Sequence, residues 1–233
     1  MVHRWCGLVL LCFLCIAGIT GAVLAFRGEA DAALNPALFK VMPEGTPLPM
    51  TEIIAHVETR FPDDLAVYIT YPRTLDASIA VSLKARMPPA GMSAGTSAKA
   101  PLPFRQAFVN PYTGNILGLR SSDDSVFERT SLLPALLRLH SSLFLGKWGA
   151  WIMGGCAIVW FVSALIGMSL AWPRAWASFR AWRAVVSVRS GRGAYKLHYD
   201  LHRATGVLLL PALCVLALTG IYLNLPDVVK PVV

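Results

Sequence analysis

Charged side chains are what this chain has least of. Asp, Glu, Lys and Arg make up 15% of its 233 residues, whereas 55% are hydrophobic. That balance excludes an ordinary soluble domain and points to a membrane protein. Acids are scarcer than bases, 13 against 21, for a net charge of +8. Cysteine is missing between residues 16 and 155, so no disulfide framework supports that stretch. The five cysteines, Cys6, Cys12, Cys15, Cys156 and Cys214, all lie in apolar runs. Cys12-x-x-Cys15 has the spacing of a redox or metal pair, but no partner pair accompanies it. Packing or lipid contact is the reading its apolar setting favours. The sequence also has no Gly-rich nucleotide loop, no P-loop and no G-x-S-x-G, so it is not expected to bind NAD(P)H or flavin itself.

Three stretches are long enough to span a bilayer, which takes about 20 apolar residues. They are residues 5–26, 148–172 and roughly 204–225. Between the second and third lie Arg174, Arg180, Arg183, Arg189, Arg192, Lys196 and Arg203, opposed by Asp200 alone. The positive-inside rule puts this loop in the cytoplasm. Topology accounts for its charge, so no nucleic-acid partner is inferred. The N-terminus is then cytoplasmic. The first apolar run reads as an uncleaved helix rather than a signal peptide, because no small-x-small site follows it. The Trp148, Trp151, Trp172, Trp176 and Trp182 set marks the interfaces.

One pattern occurs twice. His3-Arg4-Trp5-Cys6-Gly7 opens the run that reaches Thr20-Gly21, and His202-Arg203-Ala204-Thr205-Gly206 opens the run that reaches Thr219-Gly220. This suggests a duplicated unit whose two helices run in the same direction, with their histidines at one depth. The segment between the first two spans reads as a small α+β domain. Ile53, Ile54, Val57 and Phe61 give a helical apolar face, with Thr51 as N-cap and Pro62 ending the helix. Residues 66–70, 78–84, 105–110 and 116–119 read as strands, the last two joined by the turn Pro111-Tyr112-Thr113-Gly114. Residues 87–103, rich in Pro, Gly, Ala and Ser, read as a flexible loop.

Phe108-Val109-Asn110-Pro111-Tyr112-Thr113-Gly114-Asn115-Ile116-Leu117-Gly118 resembles the terminal hairpin of a PepSY domain. Leu139-His140 with Leu143-x-Leu145-Gly146-x-x-Gly149 resembles the second helix of PepSY-associated transmembrane (PepSY-TM) proteins. Asp200-Leu201-His202-Arg203 with Gly206, Pro211 and Leu218-Thr219-Gly220 resembles their third, and His3-Arg4-Trp5 with Ile19-Thr20-Gly21 their first. The resemblance covers nearly the whole chain. It implies a membrane α-helical fold with three transmembrane helices, an incomplete four-helix bundle, and a small α+β PepSY-like periplasmic domain. The expected division is helix one 1–27, periplasmic domain 28–146, helix two 147–172, basic cytoplasmic loop 173–203, helix three 204–225 and a short periplasmic tail 226–233. The family usually continues into a second external segment and a fourth helix. A chain stopping at Pro231-Val232-Val233 is therefore expected to be either a shortened member or a truncated reading frame.

The resemblance also implies an inner-membrane, multi-pass protein linked to iron uptake, some relatives being haem-containing reductases of ferric siderophores. Four of the five histidines fall at or near helix mouths, and intramembrane or membrane-edge ionisable groups point to function. His3, His140, His198 and His202 are the candidate cofactor-binding residues, as ligands of haem iron, with haem b the expected cofactor. His202 with His3 or His198 would hold an inner haem, and His140 would belong to an outer one whose second ligand is not evident. The alternative is that His3 and His202 anchor helix ends beside Arg4 and Arg203, and that His140 is a surface residue. A zinc site on His198-x-x-x-His202 lacks a third ligand. His56 reads as structural. Catalytic residues are unassigned.

Two functions follow as expectations. In one, the protein passes electrons from quinol or a cytoplasmic reductase to a periplasmic acceptor such as a ferric siderophore. In the other, it is a non-enzymatic, membrane-anchored PepSY module that binds a peptide, a peptidase or another envelope protein.

Overall fold

A computed structural model of the chain describes residues 1–72, 74–85, 105–121, 124–191 and 193–229. The expected loop at 87–103 lies outside the described residues. The chain divides into a helical unit, residues 1–22 and 137–233, and a sheet unit, residues 23–136.

The helical unit is built from α1 (Val2–Leu24) and α6 (Gly146–Ala171), with the bent pair α8 (Ala194–Leu208) and α9 (Leu210–Asn224). Both α1 and α6 are long and apolar enough to cross a membrane. The α8–α9 pair makes a third candidate if its halves, bent by 68°, count as one span. The expected continuous third helix at 204–225 is thus two helices, and helix begins ten residues earlier, at Ala194. Pro211 supplies the reason. It has no N–H to give the Val207 carbonyl, and its ring crowds that carbonyl. The short helices α7 (Phe179–Val186) and α10 (Pro226–Val229) complete this unit with the C-terminal part of α5 (Leu132–Ser142).

The corner between α5 and α6 explains the LxLGxxG motif. Leu143, Phe144 and Gly146 all have positive φ, 52°, 59° and 55°. Gly149 lies against the Ser142 carbonyl, where a Cβ would collide with backbone. Gly154 likewise receives the Leu225 side chain. These glycines serve helix packing.

In the sheet unit, α2 (Arg27–Leu34) and α3 (Pro36–Phe39) precede α4 (Met50–Arg60). An antiparallel sheet follows in the order β1 (Asp64–Thr70), β2 (Ile79–Ala85), β3 (Arg105–Val109), β4 (Ile116–Ser121). Alternation along β2 sends Ile79, Val81 and Leu83 to one face, where they meet Ile53 and Val57 of α4 together with Ala107 and Val109. Ala80 and Phe108 face the other way and pack on Leu38 of α3. Both faces are covered, which is why β2 is buried along most of its length. The helix at 50–60 starts one residue before Thr51, with Pro49 rather than Thr51 at the N-cap. The β3–β4 turn forms as the sequence suggests: Gly114 takes φ +73° and the Tyr112 N–H donates to Asn110 Oδ1. His56 packs on Gly114, a structural position. Across the unit, Arg120 of β4 makes two bonds of 2.9 and 2.8 Å to Asp31 of α2, and both side chains are buried.

Candidate functional site

His3 stands in the first turn of α1. Its Nδ1 lies 3.0 Å from both the backbone carbonyl and the hydroxyl of Ser163 on α6. A carbonyl oxygen only accepts, so the Nδ1 atom carries the proton and the Nε2 lone pair is left free. One turn beyond Ser163, Gly167 makes room for the ring: a Cβ there would sit 3.0 Å from Cε1 of His3.

The same construction recurs at the other end of α1. Thr20, 5% exposed, donates its hydroxyl to the Ile16 carbonyl at 2.6 Å. With that hydrogen used, the oxygen accepts from Nδ1 of His140, 2.9 Å away. Gly21 is the matching small residue, with a built Cβ 3.1 Å from Cε1 of His140. His140 is therefore another imidazole with Nδ1 occupied and Nε2 available. It lies on α5 in the helical unit rather than on a surface segment. The 17 residues from His3 to Thr20 correspond to about 26 Å of helix rise, close to the roughly 30 Å thickness of a hydrocarbon core.

His202 comes to His3. Their ring centroids are 5.9 Å apart, with the planes tilted by 54°. His198 is one helical turn earlier on α8, exposed, and has no hydrogen bond or ring partner among the described residues. Of the four histidines singled out, the structure thus brings His3 and His202 together, sets His140 on Thr20, and leaves His198 apart. Among the described residues, no three His, Cys, Asp or Glu side chains converge as a metal cluster. Cys12 and Cys15 are exposed on α1.

The histidine repeat is not matched by its surroundings. Arg4 is exposed, its guanidinium over the Trp5 ring. Arg203 is tied down: it donates to the carbonyls of Ala184, Val185 and Ser187, and its Nη2 lies 3.4 Å from Asp200. Thr20 holds a histidine, but Thr219 is exposed and bonds the Leu216 carbonyl.

Asp200 is the residue that sequence reasoning missed. Its side chain is fully buried, forked by Arg189 at 2.9 and 3.0 Å and joined by Lys196 at 3.5 Å. The hydrogen bond that Arg189 donates to the Asp200 carboxylate raises its guanidinium above its ordinary value. Asp200 therefore ties α8, which carries His202, to the segment after α7. The signal for it was present: a lone acid among seven bases between residues 173 and 203.

Two neighbouring imidazoles, one with its tautomer set by Ser163, have the chemistry of nitrogen donors to a metal ion. Comparison with curated proteins gives no match. The profile of the family described as PepSY-associated TM region matches residues 1–233, the whole chain, and the chain belongs to that family of membrane proteins.

Proposed function

We propose that this protein binds haem b in the inner membrane and serves electron transfer to a periplasmic acceptor, with a ferric siderophore as the acceptor class. The observation that carries the reading is the His3–His202 pair. The two ring centroids are 5.9 Å apart, so His3 and His202 are the residues that would hold one haem iron between them. Haem, when bound, supplies a one-electron couple. His3 and His202 bind it, and Ser163 keeps the His3 Nε2 atom directed away from its own hydrogen bond. His140, held on Thr20 at the far end of α1, is the candidate ligand of an outer haem, and His198 is the reserve ligand beside His202. The basic loop is cytoplasmic in this reading, as is the N-terminus, and electrons come from quinol or a cytoplasmic reductase.

The test is spectroscopic. Protein purified from haem-replete cells is expected to show a Soret band and a six-coordinate low-spin spectrum, with haem b identified by its pyridine haemochrome. His3→Ala and His202→Ala each lose the low-spin signal of the inner site, whereas His198→Ala keeps it. Colourless wild-type protein, or a spectrum indifferent to both substitutions, sinks the proposal.

One observation favours a second reading, a non-enzymatic module that binds peptide. The edge strand β1 exposes Leu65, Val67 and Tyr68, and an edge strand can take on a further strand from a partner. Under this reading the full chain captures an extended peptide, and Tyr68→Asp abolishes capture while leaving any spectrum unchanged.

A further inference from the structure

We infer that the segment from Arg174 through α7 is a docking surface for anionic phospholipid headgroups. The segment follows directly on α6, a candidate span that ends at Ala171. Trp172 comes next and is half exposed. It meets the Trp182 ring edge-on with centroids 5.2 Å apart, and the Trp182 indole N–H donates to the Trp176 carbonyl at 2.6 Å. This folds α7 back beside the end of the span. The far end of α7 is held by Arg203 through the Ala184 and Val185 carbonyls. The short helix is thus held at its middle and its C-terminal end, and its Val185 is buried.

What the segment from Arg174 through α7 presents outward is a mixture that water alone does not favour. Phe179 is 83% exposed and Trp176 65% exposed. Beside them stand the exposed arginines Arg174, Arg180 and Arg183. Among the described residues none of these three has an ion-pair partner, whereas Arg189, Lys196 and Arg203 all share Asp200. The sequence holds no acid from residue 173 to 199 that could neutralise them. Aromatic side chains and basic heads on one surface, at the end of a membrane span, are the composition of an interfacial element. The aromatic groups reach the acyl boundary while the guanidiniums meet headgroup phosphates. A shallow depression of about 360 Å³ lined by residues 174–178, Arg174 and Trp176 among them, gives a headgroup somewhere to sit. Free phosphate would satisfy the arginines and leave Trp176 and Phe179 uncovered, so the lipid is the better fit. The inference is independent of haem.

The experiment uses the full chain, purified in detergent and titrated with phosphatidylglycerol or phosphatidylcholine under native mass spectrometry. The wild type is expected to retain phosphatidylglycerol in preference to phosphatidylcholine, and to lose that preference as salt rises. Each surface arginine contributes roughly a fivefold preference, so Arg174→Gln/Arg180→Gln/Arg183→Gln together lower retention on the order of a hundredfold. The triple lysine variant keeps most of it, and Trp176→Ala with Phe179→Ala weakens it without changing its salt dependence. Lys40→Gln with Arg60→Gln, in the sheet unit, leaves it unchanged. Equal retention of the two lipids by the wild type, or a preference untouched by the triple glutamine variant, overturns the inference. Complete displacement of the lipid by inorganic phosphate also overturns it, in favour of a soluble anion site. Should the glutamine variant fail to insert, the wild-type salt titration and the aromatic variant still decide.

Discussion

Thr20 and His140 are joined by a 2.9 Å hydrogen bond whose direction is set by a third group, the Ile16 carbonyl that takes the threonine hydrogen at 2.6 Å. His3 and Ser163 reach the same outcome by a different route, a carbonyl that can only accept. At both ends of α1, the helix opposite the histidine therefore supplies an oxygen to hold Nδ1 and a glycine to seat the ring, α6 for His3 and α1 itself for His140. A structural histidine needs only a satisfied polar atom. Both parts recur about one membrane thickness apart, and in each case the hydrogen bond occupies Nδ1 rather than Nε2.

Replacing Thr20 by Val keeps the side-chain shape and removes the acceptor. The His140 Nδ1–H then loses its partner, at a cost of about 1–3 kcal/mol. Denaturant unfolding in micelles gives the energy, and the ¹⁵N shifts of the His140 imidazole give the tautomer. Thr20→Ser is expected to restore both. A Val variant with an unchanged tautomer ratio would show that Thr20 does not set it.

Glycines in α6 separate cleanly into tight and open positions. Gly149 faces the Ser142 carbonyl, whereas Gly155 has nothing within 4 Å of a built Cβ. Gly149→Ala forces the α5–α6 corner apart and is expected to cost about 1–3 kcal/mol, as overpacking does. Gly155→Ala is expected to be neutral, or stabilising by up to about 1 kcal/mol through helix propensity. Thermal unfolding of the two variants in one detergent makes the comparison, and equal melting temperatures would contradict it.

Much of the sheet unit is legible from sequence, because its elements rest on local periodicity. The spacing of Ile53 and Val57 announces α4, and the β2 run and the Pro-Tyr-Thr-Gly turn announce strands and hairpin. The short helices α2, α3 and α5 do not announce themselves. Eight and four residues, in α2 and α3, are too few to establish an amphipathic pattern, and tertiary contacts decide them; α5 is as long as α4, and its residues read only as the approach to the second span. The His3–His202 approach is half legible, since the repeat places both at helix mouths but cannot say that the rings meet. The Thr20–His140 bond joins residues 120 apart and has no local signature. Arg189 is equally hidden, because it reaches Asp200 from an irregular segment whose path no periodicity describes.

Asp31 and Arg120 test the sheet unit on its own terms. Their side chains are 12% and 9% exposed, and the guanidinium also lies over the Phe39 and Phe108 rings. Asp31→Ala leaves a buried cation unpaired and is expected to destabilise the unit by about 3–5 kcal/mol. Replacing both, Asp31→Leu with Arg120→Met, removes the unpaired charge and is expected to recover most of that loss. Limited proteolysis in denaturant reads the order of stability as wild type and double variant above Asp31→Ala. A double variant no better than the single one would mean that the pair is needed for its geometry rather than for charge balance.

Pro211 is expected to set the 68° break between α8 and α9, and with it the place of His202. Pro211→Ala restores an N–H that can bond the Val207 carbonyl and removes the ring that crowds it. Each 15-residue half is about 22 Å long, so a full straightening would separate their outer ends by roughly 7 Å more. Spin labels at positions 195 and 223, exposed at 86% and 73% in the native chain, can read that change on a background freed of native cysteines. The Asp200 cluster ties α8 to the segment after α7, so α8 is the less free half and α9 is expected to swing. Its contacts with α6, including Leu225 seated on Gly154, would then open first. A variant with an unchanged label distance would place the origin of the bend in those α6 contacts instead of in the proline. His202 would then owe its approach to His3 to packing along the whole of α9.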